Sequence, residues 1–477
     1  MTFESEAAAQ LTDLRNRFNS YQAANNEKAI YRDGKYRMND LKISVPPNIP
    51  IDTVVGWPGT VIDVLEERLD FEGWSAGGDA MDAVYIQNDL DVKAPLVHAD
   101  ALLFGTAFAT VTTGEEGEPS PLVSIASPTE MVVVRDNRRG AVASAARFIH
   151  DDKGKLVAAV LFRPNETVWA EATNSGWSVT AVDEHRLNRV PVAQFINRAR
   201  GSKMTGSSEL TPALRGYTQS ALRTLVGAEI AREFYAVPQR YMMGAPESFF
   251  LDENGNPRGA WDAMMGKILA VERDSETGDI PVVGSFSANA MTPFFEQLRT
   301  LSCLVAAEAA IPASYLGMVH DNPESGDAAR MFENRLVKRA ERRQVSFGKA
   351  WTEVARLAIM VRDGRAFNDL TDEELAIRPM WRDAATPTRA AAADEVLKMT
   401  QNQTYTPTGQ YTLKRLGLSP QDRAMLMADH AKDSATALKR LMEGVTQPPQ
   451  EAVDLAKPVG DTVPNLVNMA QENPPAE

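Results

Sequence analysis

Only one cysteine, Cys303, occurs in the 477 residues, so no disulfide framework can form within a chain, and a reducing compartment suits it. No apolar run reaches about 18 residues without interruption, which argues against a membrane span. The five histidines, His98, His150, His185, His320 and His430, form no His-x-x-x-His pair and show no metal-ligand spacing. Glycine precedes lysine at Gly34, Gly154, Gly266 and Gly348, but Ser or Thr never follows, which excludes a phosphate-cradling loop of the ATPase kind. His98 with Asp100, and Asp183 with His185, have the form of base and orienter pairs, yet neither places a nucleophile. The opening Met1 to Glu6 is acidic without an apolar centre and is not expected to be a secretion signal. Neither a catalytic residue nor a cofactor nor a metal is expected. Cys303, with no histidine near it in sequence, is expected to be a structural thiol packed on the apolar side of a helix.

What is present is mostly helix-forming. A hydrophobic content of 44% over this length allows two to four domains with ample core. Thr211 and Pro212 read as N-cap and first-turn proline. Leu214, Tyr217, Ala221, Leu225, Ala228 and Ala231 then recur at three- or four-residue spacing until Val237 and Pro238. That helix spans about 25 residues, or roughly 37 Å. A second starts at Thr292 and Pro293, carries Phe294 or Phe295, Leu298, Leu301, Val305 and Ala309, and stops at Ile311 and Pro312. Between them, turn signals such as Asp252 to Gly255 alternate with short apolar runs such as Ile268 to Val271 and Ile280 to Val283. The pattern predicts two antiparallel helices joined by a compact cap, packed beside copies of themselves because a lone chain could not bury both faces.

A third helix is expected from near Ser325 to about Arg362. Its apolar stripe is Phe332, Leu336, Ala340, Phe347, Trp351, Val354 and Ala358, while Arg330, Arg335, Lys338, Arg339, Arg342 and Arg343 crowd its first half. Such a cationic run is either a solvated or salt-bridged face, or a surface near a nucleic-acid backbone or an adjacent subunit. On the second reading, reversing charge at Arg339 and Arg342 together should impair assembly or packaging and leave the isolated fold intact.

Residues 1–206 begin helical, with Leu11, Leu14, Phe18 and Tyr21 on one face, and then turn strand-rich. Short β-like runs at Leu122–Ile125, Met131–Val134, Ala143–Ile149, Leu156–Phe162, Thr167–Trp169, Trp177–Thr180 and Val190–Ile196 predict an antiparallel sheet. From Thr386 to Gly444 short helices follow, the last with Met425, Met427, Ala431 and Leu438 expected inward. The proline-rich stretch from Gln447 to Glu477 is expected to be disordered. The fold class is therefore α+β.

In order along the chain stand Tyr31 to Gly34, Trp57 to Arg68, Phe71 to Trp74, Ala101 to Phe108, Val190 to Asn197, Ile311 to Gly317 and Asn322 to Ala329. Their order resembles the portal proteins of tailed double-stranded DNA bacteriophages, in the branch common among phages of Gram-positive hosts. The resemblance implies a β-rich wing (1–206), stem helices (207–236 and 288–311) flanking a small α/β clip (237–287), a tunnel loop and long helix returning to the wing (312–380), a helical crown (381–446) and the tail (447–477). His320, Asp321, Asn322 and Ser325 fall where the family's DNA-facing tunnel loop lies.

The resemblance further implies a homo-oligomeric ring, a dodecamer, in the virion at one capsid vertex, assembled in the host cytoplasm. Its implied partners are the terminase large subunit, a head-completion or adaptor protein, major capsid and scaffolding proteins, and double-stranded DNA in the channel, with no membrane. A net charge of −14 disfavours a protein that grips DNA over its whole surface but suits a wall past which DNA slides. The alternative is a phage assembly enzyme, a maturation protease or nuclease on a helical scaffold, for which no nucleophile or acidic metal cluster is visible.

Overall fold

The amphipathic opening forms α1 (Phe3–Arg32), whose Ala7, Leu11, Leu14 and Phe18 are buried while Tyr21 is exposed. The computed structural model describes residues 3–36, 53–75, 78–136, 138–174, 176–235, 240–243, 278, 280, 282–285, 290–317, 326–385, 389–418 and 420–445. They fall into two units divided between Thr386 and Pro387. In the first unit α1 is followed by α2 (Trp57–Glu66), β1 (Phe71–Trp74), α3 (Gly78–Gln87) and α4 (Leu90–Phe104). The strand-rich part comprises β2 (Thr106–Thr112), β3 (Leu122–Ala126), β4 (Met131–Asp136), β5 (Ala141–His150), β6 (Leu156–Phe162), β7 (Glu166–Thr173), β8 (Gly176–Glu184) and β9 (Val192–Ile196).

Strands β4 to β8 form an antiparallel meander in chain order. Alternation gives this sheet two apolar faces. One, with Ala146, Phe148, Leu161 and Val168, takes the buried stripe of α1. The other, with Val133, Ala145, Val160 and Phe162, packs on Phe108, Val190 and Val192. Those last residues belong to or adjoin a second antiparallel sheet, ordered β3-β2-β9. Every strand run predicted between Leu122 and Ile196 is present, but the central strand β2 is not among them. Its sequence, Thr106 to Thr112, has five successive buried residues and so lacks the alternation by which strands are read.

Next come α5 (Pro212–Tyr235), β10 (Arg240–Met243), β11 (Val282–Ser285), α6 (Thr292–Ala309) and α7 (Gly326–Asp363). A short helix, α8 (Asp372–Leu375), precedes β12 (Pro379–Trp381), which pairs antiparallel with β1. The β10–β11 ladder is antiparallel and closes the base of the segment between α5 and α6. Most of the expected cap, 244–277, lies outside the described residues, as do the loop with His320, Asp321, Asn322 and Ser325 and the tail after 445.

The largest core surrounds α7, whose Leu336, Ala340, Phe347, Trp351, Val354 and Ala358 are all buried, as their spacing predicts. Phe71 stacks on Trp351 at a centroid distance of 4.2 Å, and the indole N–H of Trp74 donates to the Trp351 carbonyl at 2.9 Å. The Phe71 to Trp74 phrase is thus the lid of the α7 core.

The second unit holds α9 (Arg389–Gln401), α10 (Gln410–Arg415) and α11 (Pro420–Val445). Ala392, Val396 and Leu413 are buried there, and Arg415 pairs with Glu395 at 2.7 Å. Met425 and Met427, expected inward, are instead 61% and 42% exposed, and Ala431 is exposed as well. Their helical spacing is real, but within one chain no described element covers that face.

Candidate functional site

Helices α5 and α6 pack antiparallel. The hydroxyl of Thr211 donates to Oε1 of Glu308 at one end, and at the other a Cβ on Gly227 would stand 3.3 Å from the Phe294 ring. Thr211 also caps its helix, accepting from the backbone N–H of Leu214 at 3.2 Å. Between the helices lie Ala221, Leu222, Val226 and Leu301. The outer face of α6 is different. Phe295 is 60% and Leu304 42% exposed on flanks about half a turn apart, and Cys303, exposed between buried pairs, lies on the solvent arc between them. The expectation of a packed thiol is therefore corrected: the apolar stripe that meets α5 uses Leu301 and Val305, and Cys303 points away from it.

The connection from β9 to α5 is pressed against the end of α4. The amide of Asn197 donates to the Gly105 carbonyl at 3.0 Å, that of Ser207 to the Asn197 carbonyl at 2.8 Å, and that of Glu209 to the Leu102 carbonyl at 2.9 Å. Gly206 has φ of +84°, and a Cβ there would lie 2.1 Å from the Gly105 carbonyl oxygen, so only glycine fits. The phrases Ala101 to Phe108 and Val190 to Asn197 are neighbours here, as β2 and β9.

This threading delivers Glu209 into the interior, where its side chain has 0% exposure. Arg343 binds Oε1 through Nε at 3.1 Å and Nη2 at 2.6 Å, Arg339 binds Oε2, and Arg198 approaches Oε2 at 3.4 Å. Burial pushes the carboxyl pKa up, but Arg339, Arg343 and Arg198 outweigh it and hold it below the usual carboxylate range. Burial in turn lowers the Arg339 pKa. The cluster joins β9, the α5 entry and α7 by charge-assisted bonds.

The cationic run on α7 therefore divides. Arg339 and Arg343 turn inward to Glu209. Lys338 pairs with Glu341 at 2.6 Å on the surface. Arg335 and Arg342 are exposed and have no ion pair among the described residues, and the side chain of Arg330 lies outside them. The expectation that reversing Arg339 would spare the fold is corrected, since that change would set a carboxylate against Glu209. Glu209 itself was not singled out from sequence. Its two closest partners, Arg339 and Arg343, lie 130 and 134 residues away in sequence, and Ser207 to Leu210 reads locally as a plain helix lead-in.

A second cluster joins the two sides of the 318–325 stretch. The Tyr315 hydroxyl donates to Oε1 of Glu333 at 2.6 Å, and Arg68 reaches both the Tyr315 oxygen and Oε2 of Glu333 at 3.3 Å. Arg68 closes the Trp57 to Arg68 phrase, and Tyr315 sits in the Ile311 to Gly317 phrase.

His98 and Asp100 do not pair, and Asp183 acts on the His185 imidazole by charge alone. His98 is fully buried, accepts from the Trp351 indole at 2.9 Å and stacks on Phe347, while Asp100 stands apart with Ser127. His185 accepts from the Leu187 amide at 3.4 Å. Among the described residues, no group of three His, Cys, Asp or Glu side chains could hold a metal, and no helix is long and apolar enough to cross a membrane.

Among the described residues the chain offers a packed helix pair and an interior ion cluster that ties distant segments together. A sequence profile of the family described as phage portal protein, SPP1 Gp6-like, matches residues 55–418. The portal protein of Mycobacterium phage D29 is 34% identical over 423 residues, covering 86% of this chain and 85% of that protein. That of Mycobacterium phage L5 is 33% identical over 425 residues, covering 86% and 83%. The chain belongs to the SPP1 Gp6-like family of phage portal proteins. It is a structural, non-enzymatic component of the virion at the portal vertex, and the family forms an oligomeric ring. Among solved structures, a chain in the neck of the native gene transfer agent particle, computed with C12 symmetry, is 12% identical with a TM-score of 0.42, covering 76% of this chain and 90% of that one. A chain in the virion of the native particle is 13% identical with a TM-score of 0.39, covering 76% and 89%.

Proposed function

We propose that this portal subunit assembles into a dodecameric ring whose channel passes double-stranded DNA inward during packaging and outward during ejection. In this reading 1–206 is the wing, 207–236 and 288–311 are the stem, 237–287 is the clip, 312–380 carries the tunnel loop and returns to the wing, and 381–446 is the crown. The clip engages the terminase large subunit and later a head-completion or adaptor protein. Major capsid and scaffolding proteins meet the outer belt.

The observation that carries the reading is the apolar surface that α5 leaves uncovered on the two flanks of α6, Phe295 on one and Leu304 about half a turn away on the other. Apolar surface of that kind on a helix pair is suited to a neighbouring copy. Tyr315, Glu333 and Arg68 hold the base of the stretch containing His320, Asp321, Asn322 and Ser325, the proposed DNA-facing loop. Among the described side chains of the α7 run, Arg335 and Arg342 are the exposed cations without an ion pair and so are available to DNA or to an adjacent subunit. Action on DNA in this arrangement is electrostatic and mechanical, by loop contacts and small subunit shifts.

Electron microscopy of the purified full chain with rotational averaging tests the stoichiometry. Twelvefold rings with a central hole are expected. Compact monomers under capsid-assembly conditions, or rings of another order, would overturn it.

A further inference from the structure

A cavity of about 240 Å³ lies between the second half of α1, β4 and the β2–β9 part of the smaller sheet. Phe18, Phe108 and Val133 give it apolar walls, and Arg17, Lys28, Arg135 and Lys203 converge on it, with no Asp or Glu in the lining. In a chain of net charge −14, four cations around one apolar hollow without a carboxylate form a local inversion of sign.

Two of these cations are partly desolvated and matched only by neutral groups. Lys28 Nζ donates to the Phe104 carbonyl at 3.1 Å and to Oδ1 of Asn25 at 3.4 Å. Burial lowers its pKa, and Lys203 and Arg215 lower it further. Arg135 donates to Oε1 of Gln194 at 3.2 Å and to the Gly140 carbonyl at 2.6 Å, leaving its buried Nε without a hydrogen-bond partner. The carboxylates that influence this pair are committed elsewhere, Glu27 to Arg215 at 2.6 Å and Glu353 to Arg189 at 2.5 Å. Half-buried cations without a counter-charge are unfavourable, and an entering anion relieves them.

We propose that this cavity is a docking site for an acidic, partly apolar peptide segment of a partner protein. A Glu or Asp carboxylate sits between Lys28 and Arg135, and the adjoining aliphatic or aromatic side chain covers Phe18 and Phe108. Arg17 and Lys203 at the rim steer the approach. A nucleic-acid backbone would satisfy the cations but leave the apolar walls bare, which favours the peptide. The site is independent of ring stoichiometry and of the DNA-facing loop.

The test is a fluorescence-anisotropy titration of the full chain with a labelled decapeptide alternating Glu with Leu and Phe. Its Gln-for-Glu analogue and a single-stranded oligonucleotide of equal charge serve as comparators. The Glu peptide should bind saturably at one per chain, about tenfold or more tighter than the Gln analogue. Ala24→Trp, at an exposed lining position, should block the cavity without removing any cation. That variant and the rim double variant R17E/K203E should each weaken binding about tenfold while the circular-dichroism melt stays unchanged. Equal affinity for the Gln analogue would overturn the proposal, as would binding indifferent to Ala24→Trp. Oligonucleotide binding of the same strength and the same sensitivity to Ala24→Trp would reassign the site to nucleic acid.

Discussion

Trp351, at the centre of α7, donates its indole N–H to Nε2 of His98 on α4 across 2.9 Å, and both side chains are fully buried. Because Nε2 accepts, the imidazole is neutral with its proton on Nδ1. Burial pushes the His98 pKa down to about 3, opposed only in part by the Leu69 carbonyl. An unfolded chain takes up this proton near pH 6.5 and the folded one does not. Stability from this site is complete above pH 6.5 and is lost as pH falls from there toward 3. The loss between pH 7 and pH 5 should be about 2 kcal/mol. Urea midpoints at the two pH values, compared with those of His98→Asn, measure it: the variant should lose less on acidification.

Glu66 on α2 works in the opposite direction. Burial, with Asp70, Glu67 and Asp63 adding to it, raises its pKa to about 7. Its folded form therefore holds a proton that the unfolded chain releases near pH 4.5, and its favourable contribution disappears as pH rises through 7. Glu66→Gln should stabilise the protein at pH 8 by about 1 kcal/mol after solvent screening, and change nothing at pH 4. Thermal melts at the two values decide it.

Removing Glu209 strands two guanidiniums in the interior. Glu209→Ala should cost about 3–5 kcal/mol, as for a broken buried pair. Arg339→Glu should cost a comparable amount, whereas the exposed double variant R335E/R342E should melt within about 0.5 kcal/mol of the parent. Chemical denaturation of the three variants separates an architectural role from a surface one.

Gly206→Ala forces a methyl group against two backbone carbonyls, at a φ that L-residues avoid. A loss of at least about 2 kcal/mol is expected. Gly201→Ala, with nothing within 4 Å of the new Cβ, is the control and should leave the melting temperature unchanged.

Cys303 reports on the outer face of α6. In dissociated chains it should react freely with a maleimide, since it is exposed. If neighbouring copies cover this face, assembled rings should react about tenfold or more slowly. Equal rates in rings and single chains would place the contact between copies elsewhere.

Much of this architecture is legible residue by residue. Pro212 and Pro293 mark the starts of α5 and α6, Gly364 follows the end of α7, and the stripe from Leu336 to Ala358 predicts which side of α7 is buried. These are local signals, since caps, prolines and a 3.6-residue period act within one or two turns. The inward placement of Met425 and Met427 was misread because period tells that a face is apolar, not what covers it. Strand β2 was missed because a strand buried on both faces looks like any short apolar run.

By itself the sequence determined the class of the protein, through the order of phrases it shares with a known family, and the placement of α5, α6, α7 and the strands of the meander. The helix and strand placements follow from residue type and short spacing. Only the tertiary structure decided that Arg339 and Arg343 face Glu209 while Arg335 and Arg342 face solvent, that His98 belongs to Trp351, and that Cys303 lies outside its helix pair. Those outcomes depend on which distant backbone segment arrives opposite each side chain. The Gly105–Gly206 approach sets that for Glu209, and no local period encodes it.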